Sequence, residues 1–219
     1  MKTIVKLNQV SVTFKKKKAL ANLDCELFAG EVVGLVGPNG AGKTTLMKTI
    51  LGLVPASQGS IIGQEQKMAS LIEQPGLYPF MTGLEHLELF SDQSCNQLEI
   101  DQLIQLLDLT EFINQKTKDY SLGMKQRLGI ALALLNKPQL VILDEPMNGL
   151  DPYSVKLLKE AILIYRKAGI SFLISSHILS ELEQIVDRVL LVKAGELVEN
   201  VEHPELLNDF EEGLLAKLA

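Results

Sequence analysis

Positive charge is not in excess in this sequence. The 21 Lys and Arg residues face 27 Asp and Glu, for a net charge of −6 and a pI near 5.2. A strongly basic face for nucleic acid is therefore not indicated, and no nucleic-acid partner is expected. The one dense basic cluster, Lys15-Lys16-Lys17-Lys18, lies between two strand-like segments and reads as a solvated hairpin turn. Cysteine is scarce too. Cys25 and Cys95 are too far apart for a close-spaced metal pair. Two thiols in a chain of this size do not make a disulfide framework, so reduced, structural cysteines are expected. Long apolar runs are missing. Stretches such as 140–143 and 130–135 fall far short of the ~20 residues of a membrane helix. The opening MKTIVKLNQVSV lacks the apolar core of a secretory signal. A cytoplasmic protein is expected, and any passage across a membrane would use another polypeptide. Internal repeats and low-complexity linkers are absent.

What is present is a core-forming chain. It has 219 residues, of which 47% are hydrophobic. That suffices for one large domain or two lobes around one site. Residues 4–14 and 20–28 read as strands flanking the lysine turn. Residues 31–36 form a short apolar run with Val32, Val33 and Val36, followed by a glycine-rich turn and a helical pattern over 44–53. A short strand is expected at 57–62. Helices are expected from about 84 (capped by Thr82), over 98–109 and over 121–135. Residues 140–143 suit a central parallel strand. Asp151-Pro152 reads as N-cap and first helical position of a helix that ends before Gly169. A strand at 170–175, a helix at 179–185 and a strand at 188–193 follow. The order predicts an α/β core drawn from both ends of the chain, with a small antiparallel sheet beside it and a helical lobe inserted over about 84–122.

Gly37-Pro38-Asn39-Gly40-Ala41-Gly42-Lys43-Thr44 matches the phosphate-binding pattern G-x-x-x-x-G-K-[ST] at every spacing. Its glycines let backbone N–H groups turn inward onto phosphate oxygens, and the following helix adds the positive end of its dipole. Lys43 would reach the β- and γ-phosphates, and the Thr44 hydroxyl would hold Mg²⁺; Thr45 continues the loop into the helix. The bound nucleotide is expected to be ATP. Asp144 and Glu145 end the apolar run 140–143, at a position where open α/β sheets bind ligands. Asp144 suits the Mg²⁺ shell, and Glu145 suits a general base that polarises the attacking water. Asp144 lies 101 positions after Lys43, so the two are expected to meet only if their strands are neighbours.

Tyr120-Ser121-Leu122-Gly123-Met124-Lys125-Gln126-Arg127 opens a helix between these motifs. It resembles the L-S-G-G-Q signature of the ABC (ATP-binding cassette) ATPases, with Ser121 and Gly123 kept. A serine and free N–H groups at a helix start also make an anion site in their own right. Asn148-Gly149-Leu150-Asp151 resembles the family's loop after the catalytic glutamate. Ser175-Ser176-His177 resembles its switch histidine, and Phe14 sits where the family stacks an aromatic on adenine.

The resemblance runs along nearly the whole chain and implies a single ABC ATPase domain over 1–219. Core and antiparallel sheet would span about 1–83 and 123–219. It also implies His177 at the γ-phosphate, and ATP held between Phe14, residues 37–45 of one cassette, and Ser121, Gly123 and Asp151 of a second. The partners implied are that second ATPase subunit, alike or different, and a separately encoded membrane permease that holds the protein at the cytoplasmic face of the membrane.

The stretch Glu73-Gln74-Pro75-Gly76-Leu77-Tyr78-Pro79 resembles the family's Q-x-P-x-L-(F/Y)-P, with Glu73 at the glutamine position. Glu73 is therefore expected to face the nucleotide pocket and join the metal shell. That glutamate and the form of the signature resemble the ATPases of bacitracin-resistance and lantibiotic-immunity exporters. Export of peptide antibiotics or bacteriocins is the function this implies. The ATPase of a drug, ion or nutrient ABC transporter is the alternative, with a non-transport ABC protein behind it. The short stretch 59–73 is expected to lack a hairpin.

Overall fold

The computed structural model describes residues 2–93, 95–177, 179–204 and 209–218. Ile178, in the stretch expected to follow the switch histidine, lies outside them.

Two sheets carry the fold. Strands β1 (Thr3–Phe14), β2 (Lys17–Phe28) and β4 (Gln58–Ile62) form an antiparallel sheet in the order β2-β1-β4. Phe14 pairs with Lys17, so Lys15 and Lys16 form the hairpin turn. All four lysines are exposed, as a solvated turn requires. The larger sheet has the order β5-β6-β7-β3-β8-β9. Its members are β3 (Val32–Val36), β5 (Met68–Leu71), β6 (Leu140–Asp144), β7 (Ser171–Ser175), β8 (Arg188–Lys193) and β9 (Glu196–Val201). All are parallel except β9, which turns back on β8.

The central strands β3, β6 and β7 are buried along their whole length. That explains why their centres read as apolar stretches rather than alternating ones. Alternate residues serve different layers. Val32 and Val36 join one core cluster with the helices α2 (Gly83–Phe90), α3 (Gln97–Leu106), α4 (Leu122–Leu134) and α5 (Pro152–Lys167). Val33 and Leu35 join another with the antiparallel sheet and α1 (Lys43–Ile50). Two further helices, α6 (Leu179–Glu183) and α7 (Phe210–Leu218), pack on the first cluster.

Helix ends follow from local sequence. Thr82 and Asn96 each form a capping box with a glutamate three residues on. Asp151 caps α5, Pro152 follows, and Arg166 and Lys167 close its last turn. Helix α4 approaches the loop after β5 closely. A Cβ at Gly129 would lie 2.8 Å from Pro75 Cγ, so only glycine allows that loop to lie on α4. No helix among the described residues is long and apolar enough to cross a membrane.

Three elements differ from the sequence-based expectation. Strand β5 takes the place of a missing hairpin: after β4 the chain crosses from one sheet to the other. Strand β9 and helix α7 were not expected at all.

Candidate nucleotide site

The site forms at the carboxyl ends of the parallel strands, where the loop after β3 turns into α1. Gly42 is the N-cap of α1 in a left-handed conformation (φ 109°) and brings no side-chain cap. The first N–H groups of α1 thus receive no side-chain partner from the cap. A Cβ at Gly42 would lie 2.8 Å from the Ala19 carbonyl oxygen, so the phosphate loop and the lysine hairpin can close on each other only through glycine. Lys43 is 7% exposed. Its Nζ donates to the Gly37 oxygen at 2.7 Å and the Pro38 oxygen at 3.3 Å.

Thr44 Oγ1 donates to Asp144 Oδ2 at 2.6 Å. Their strands are not neighbours, against expectation, because β7 lies between β3 and β6. Ser175, the last residue of β7, fills the gap. Its Oγ donates to Asp144 Oδ1 at 2.5 Å and accepts from Glu145 N–H at 2.8 Å. Ser175 is fully buried. In the sequence this serine stands out only as part of the switch motif. A small polar residue ending an apolar strand was the available signal.

Glu145 adopts φ 50°, a conformation that costs a non-glycine residue of order 1–3 kcal/mol. The Ser175 bond to its N–H and three contacts at Oε2 hold it. Oε2 accepts from His177 Nδ1 at 2.6 Å, His177 N–H at 3.2 Å and Asn148 Nδ2 at 3.4 Å. Since the carboxylate can only accept, the His177 proton sits on Nδ1 in this pairing.

A cavity of about 660 Å³ lies beside these groups, and Gly37, Pro38, Ser175 and His177 are not among its lining residues. Its lining includes Phe14, Asn39, Gly40, Ala41, Thr45, Asp144 and Glu145, together with Lys43 and Thr44. Phe14 is 50% exposed at the end of β1. Lys17, Lys18 and Ala194 also line the cavity, and no sequence motif marks them. The two lysines had been read as turn residues only, and Ala194 belongs to the unforeseen β8–β9 hairpin.

Ser121, Gly123 and Asp151 are not among the lining residues. Ser121 caps α4, accepting from Met124 N–H at 3.2 Å, while its own N–H donates to Met124 Sδ at 3.4 Å. Gln126, buried one turn on, donates to the Pro146 oxygen at 3.2 Å. It thus ties the start of α4 to the loop after Glu145, a link that no spacing rule revealed. Asp151 accepts from Ser154 N–H at 3.0 Å and Ser154 Oγ at 2.6 Å. These bonds lower its pKa below the usual carboxylate value.

Glu73 does not face the cavity as expected. Its φ is 65°, its side chain is 69% exposed, and its carboxylate pairs with Lys48 on α1 at 2.7 Å. The pairing lowers its pKa, first through the hydrogen bond from Lys48 and then through the charge. The expected metal set therefore reduces here to Thr44 and Asp144.

A glycine-rich loop feeding a helix, with a strand-end Asp-Glu pair beside it on a parallel sheet, defines a P-loop nucleotide-binding protein. The comparisons narrow this further. A profile of the ABC transporter family matches residues 20–148. The lantibiotic transport ATP-binding protein SrtF of Streptococcus pyogenes is 37% identical over 91% of this chain and 91% of its own. The bacitracin transport ATP-binding protein BcrA of Bacillus licheniformis is 36% identical over 94% of this chain and 72% of its own. A solved ATP-binding subunit of an ABC transporter is 28% identical and covers 99% of both chains with a TM-score of 0.89. The chain belongs to the ABC transporter family: it is the ATP-binding subunit of a transporter and hydrolyses ATP.

Proposed function

We propose that this chain powers a membrane exporter of peptide antibiotics or bacteriocins and so provides immunity or resistance. The observation that carries the reading is the similarity, over about nine-tenths of the chain, to lantibiotic and bacitracin transport ATP-binding proteins. The permease is a separate, membrane-embedded subunit, and the ATPase works against its cytoplasmic face. Residues 1–219 act as one ATPase unit, with the helices between β5 and α4 as its inserted lobe.

In this reading the adenine of ATP stacks on Phe14, and the phosphates lie on the N–H groups of residues 37–45 at the start of α1. Lys43 exchanges the Gly37 and Pro38 carbonyls for phosphate oxygens, which are stronger, charge-assisted acceptors. Thr44 and Asp144 are hard oxygen donors 2.6 Å apart. They fit Mg²⁺, which takes few protein ligands and completes its shell with phosphate and water oxygens. Bound there, the ion would neutralise charge on the β- and γ-phosphates. Glu145 takes the proton of the attacking water. His177 orients that carboxylate and lies beside the γ-phosphate.

One chain supplies half of the site. Ser121 and Gly123 lie outside its own cavity, at the exposed start of a 13-residue helix. The Ser121 oxygen already accepts from Met124, which leaves its proton available to a phosphate oxygen. Two copies therefore pair head to tail. Ser121, Gly123 and the loop ending at Asp151 of one face the phosphate loop of the other. ATP joins them, and hydrolysis lets them part.

The exporter reading is tested by deleting the gene in its host and measuring growth in bacitracin and in a lantibiotic. Sensitivity should rise. The wild-type gene should restore resistance, and the Lys43→Ala variant should not. Unchanged sensitivity to both peptides, with an intact ATPase, would remove the export reading and leave the ATPase assignment standing.

A further inference from the structure

Two of the four turn lysines belong to the nucleotide cavity. Lys17 and Lys18 line it, while Lys15 and Lys16 do not. The hairpin register explains the division. Lys17 pairs directly with Phe14, and cross-strand partners project from the same face of a sheet. Two residues further along β2, the Ala19 carbonyl oxygen lies against the phosphate loop. It is 2.8 Å from where a Cβ at Gly42 would stand and 2.6 Å from one at Gly195. Ala21 N–H donates to the Gly195 oxygen at 2.8 Å. The start of β2 is thus clamped between two loops. Lys17 and Lys18 are rooted on that fixed backbone although both side chains are exposed. Along β2, Lys18 stands between the partner of Phe14 and the residue against Gly42.

A nucleotide crosses the same stretch. With its base on Phe14 and its β- and γ-phosphates at Lys43 and Thr44, its ribose and α-phosphate pass beside Lys17 and Lys18. We propose that these two lysines bind the nucleotide at its α-phosphate, as a second cationic contact separate from Lys43. The proposal rests on the reading of Phe14 as the platform for the base.

Charge gives the contact its purpose. The lining holds three ammonium groups, on Lys17, Lys18 and Lys43, and two carboxylates, on Asp144 and Glu145. Without the turn lysines the carboxylates would outnumber the cation, and a nucleotide without its metal would be repelled. The chain as a whole is acidic, with a net charge of −6, so the two lysines supply the local attraction that draws an anion to the mouth. They are also available. Lys6, Lys48 and Lys67 each hold a carboxylate at 2.6–2.7 Å. Among the described residues, Lys17 and Lys18 have no such partner to give up. A merely solvated turn, or a diffuse field of positive charge, would make all four lysines equivalent. A contact at the α-phosphate would set Lys17 and Lys18 apart. It would also hold ATP and ADP equally, since both carry that group.

The experiment uses the full chain in EDTA, where ATP is not hydrolysed and no metal screens the phosphates. Affinities for ATP, ADP and UDP are measured by calorimetry. The variants are Lys17→Met/Lys18→Met, Lys17→Arg/Lys18→Arg and Lys15→Met/Lys16→Met, with Phe14→Ala as the reference for the base. Lys17→Met/Lys18→Met should weaken all three nucleotides by a similar factor, roughly two- to thirtyfold, the range that two exposed ion pairs command. It should also flatten the salt dependence of ADP binding. The arginine pair should bind as wild type does, and so should Lys15→Met/Lys16→Met. Equal losses in the two methionine pairs would reduce the effect to a general field and overturn the contact. A loss confined to ATP would place the lysines at the γ-phosphate, and a loss for ADP but not UDP would place them on the base. Either result overturns the α-phosphate assignment. Full affinity in Lys17→Met/Lys18→Met, with ADP weakened by Phe14→Ala, overturns the proposal alone. If Phe14→Ala leaves ADP binding unaltered, the base does not lie there, and the reading of Phe14 falls together with the proposal.

Discussion

Asp144, Ser175 and Lys43 are each less than a tenth exposed and are tied to neighbouring strands or loops by short hydrogen bonds. Ser121, Glu73 and Phe14 stand at the surface and bond, where they bond at all, to their own helix or to one half-buried lysine. The first group forms the phosphate end and comes complete from one chain. Under the proposed mechanism, Phe14 and Ser121 in the second group would become useful when nucleotide or another subunit arrives. The contrast separates what the fold must build in advance from what the cycle assembles. Preorganised charge works best in a buried setting that needs no rearrangement, whereas a contact that opens in every turnover must be weak.

If that division holds, substitutions at the buried end should damage chemistry and fold, and those at the exposed end should damage affinity or assembly. The largest effect is expected from Lys43→Ala. It removes the cation aimed at the phosphates and should reduce ATPase activity by at least about 10²–10³-fold, the scale of losing a preorganised electrostatic group. A steady-state ATPase assay checks this, and near-wild-type turnover would displace the site.

Next comes Ser175→Ala, which strands Asp144 Oδ1 and the Glu145 N–H. The buried groups left behind should cost about 1–3 kcal/mol, a Tm lower by roughly 2–10 °C in calorimetry, and kcat should drop with it. A variant as stable and active as wild type would mean that the residue merely fills space.

Phe14→Ala at the exposed end should behave differently. Losing an aromatic stacking partner worth about 0.5–1.5 kcal/mol should raise the KM for ATP roughly two- to tenfold and spare kcat. A fall in kcat at unchanged KM would blur the division.

The smallest effect concerns Asp151. Its folded-state pKa is lowered by the two bonds from Ser154. Its contribution to stability is therefore present above the unfolded carboxylate pKa of about 3.9 and is lost as pH falls through the lower folded value. Asp151→Asn should make the decline in Tm below about pH 4 shallower, because it lowers Tm slightly at pH 7 and leaves it nearly unchanged in acid. An identical acid profile would show that the cap does not contribute to acid unfolding.

The same contrast explains how far the sequence could be read. Elements whose patterns are dictated by burial were legible: β3 and β6 as apolar runs, β7 as a short strand, and the capped starts of α2 and α5. The phosphate loop was legible because backbone geometry demands its glycines at fixed spacing. Strand β5, Met-Ala-Ser-Leu, was not, since four residues with no β-branched member carry little strand signal. Strand β9, Glu-Leu-Val-Glu-Asn-Val at a sheet edge, is half polar and was masked by that polarity. The meeting of Thr44 with Asp144 across an intervening strand lay beyond any one-dimensional reading, because it depends on strand order and on Ser175 as a bridge. Glu73 shows the limit most clearly. A motif register assigned its position, but the partner of its carboxylate depends on a helix 25 residues away in sequence.

The central claim is that one chain holds half of the hydrolytic site and ATP joins two. The most direct measurement is the mass in solution of the Glu145→Gln variant, by size-exclusion chromatography with light scattering, with and without Mg²⁺-ATP. Replacing the carboxylate keeps its shape, stalls hydrolysis and removes a negative charge facing the γ-phosphate. The account predicts a monomer without nucleotide and a dimer with it, and the dimer should be lost when Ser121→Ala or Lys43→Ala is added. A variant that binds ATP stoichiometrically and remains monomeric at tens of micromolar protein would contradict it.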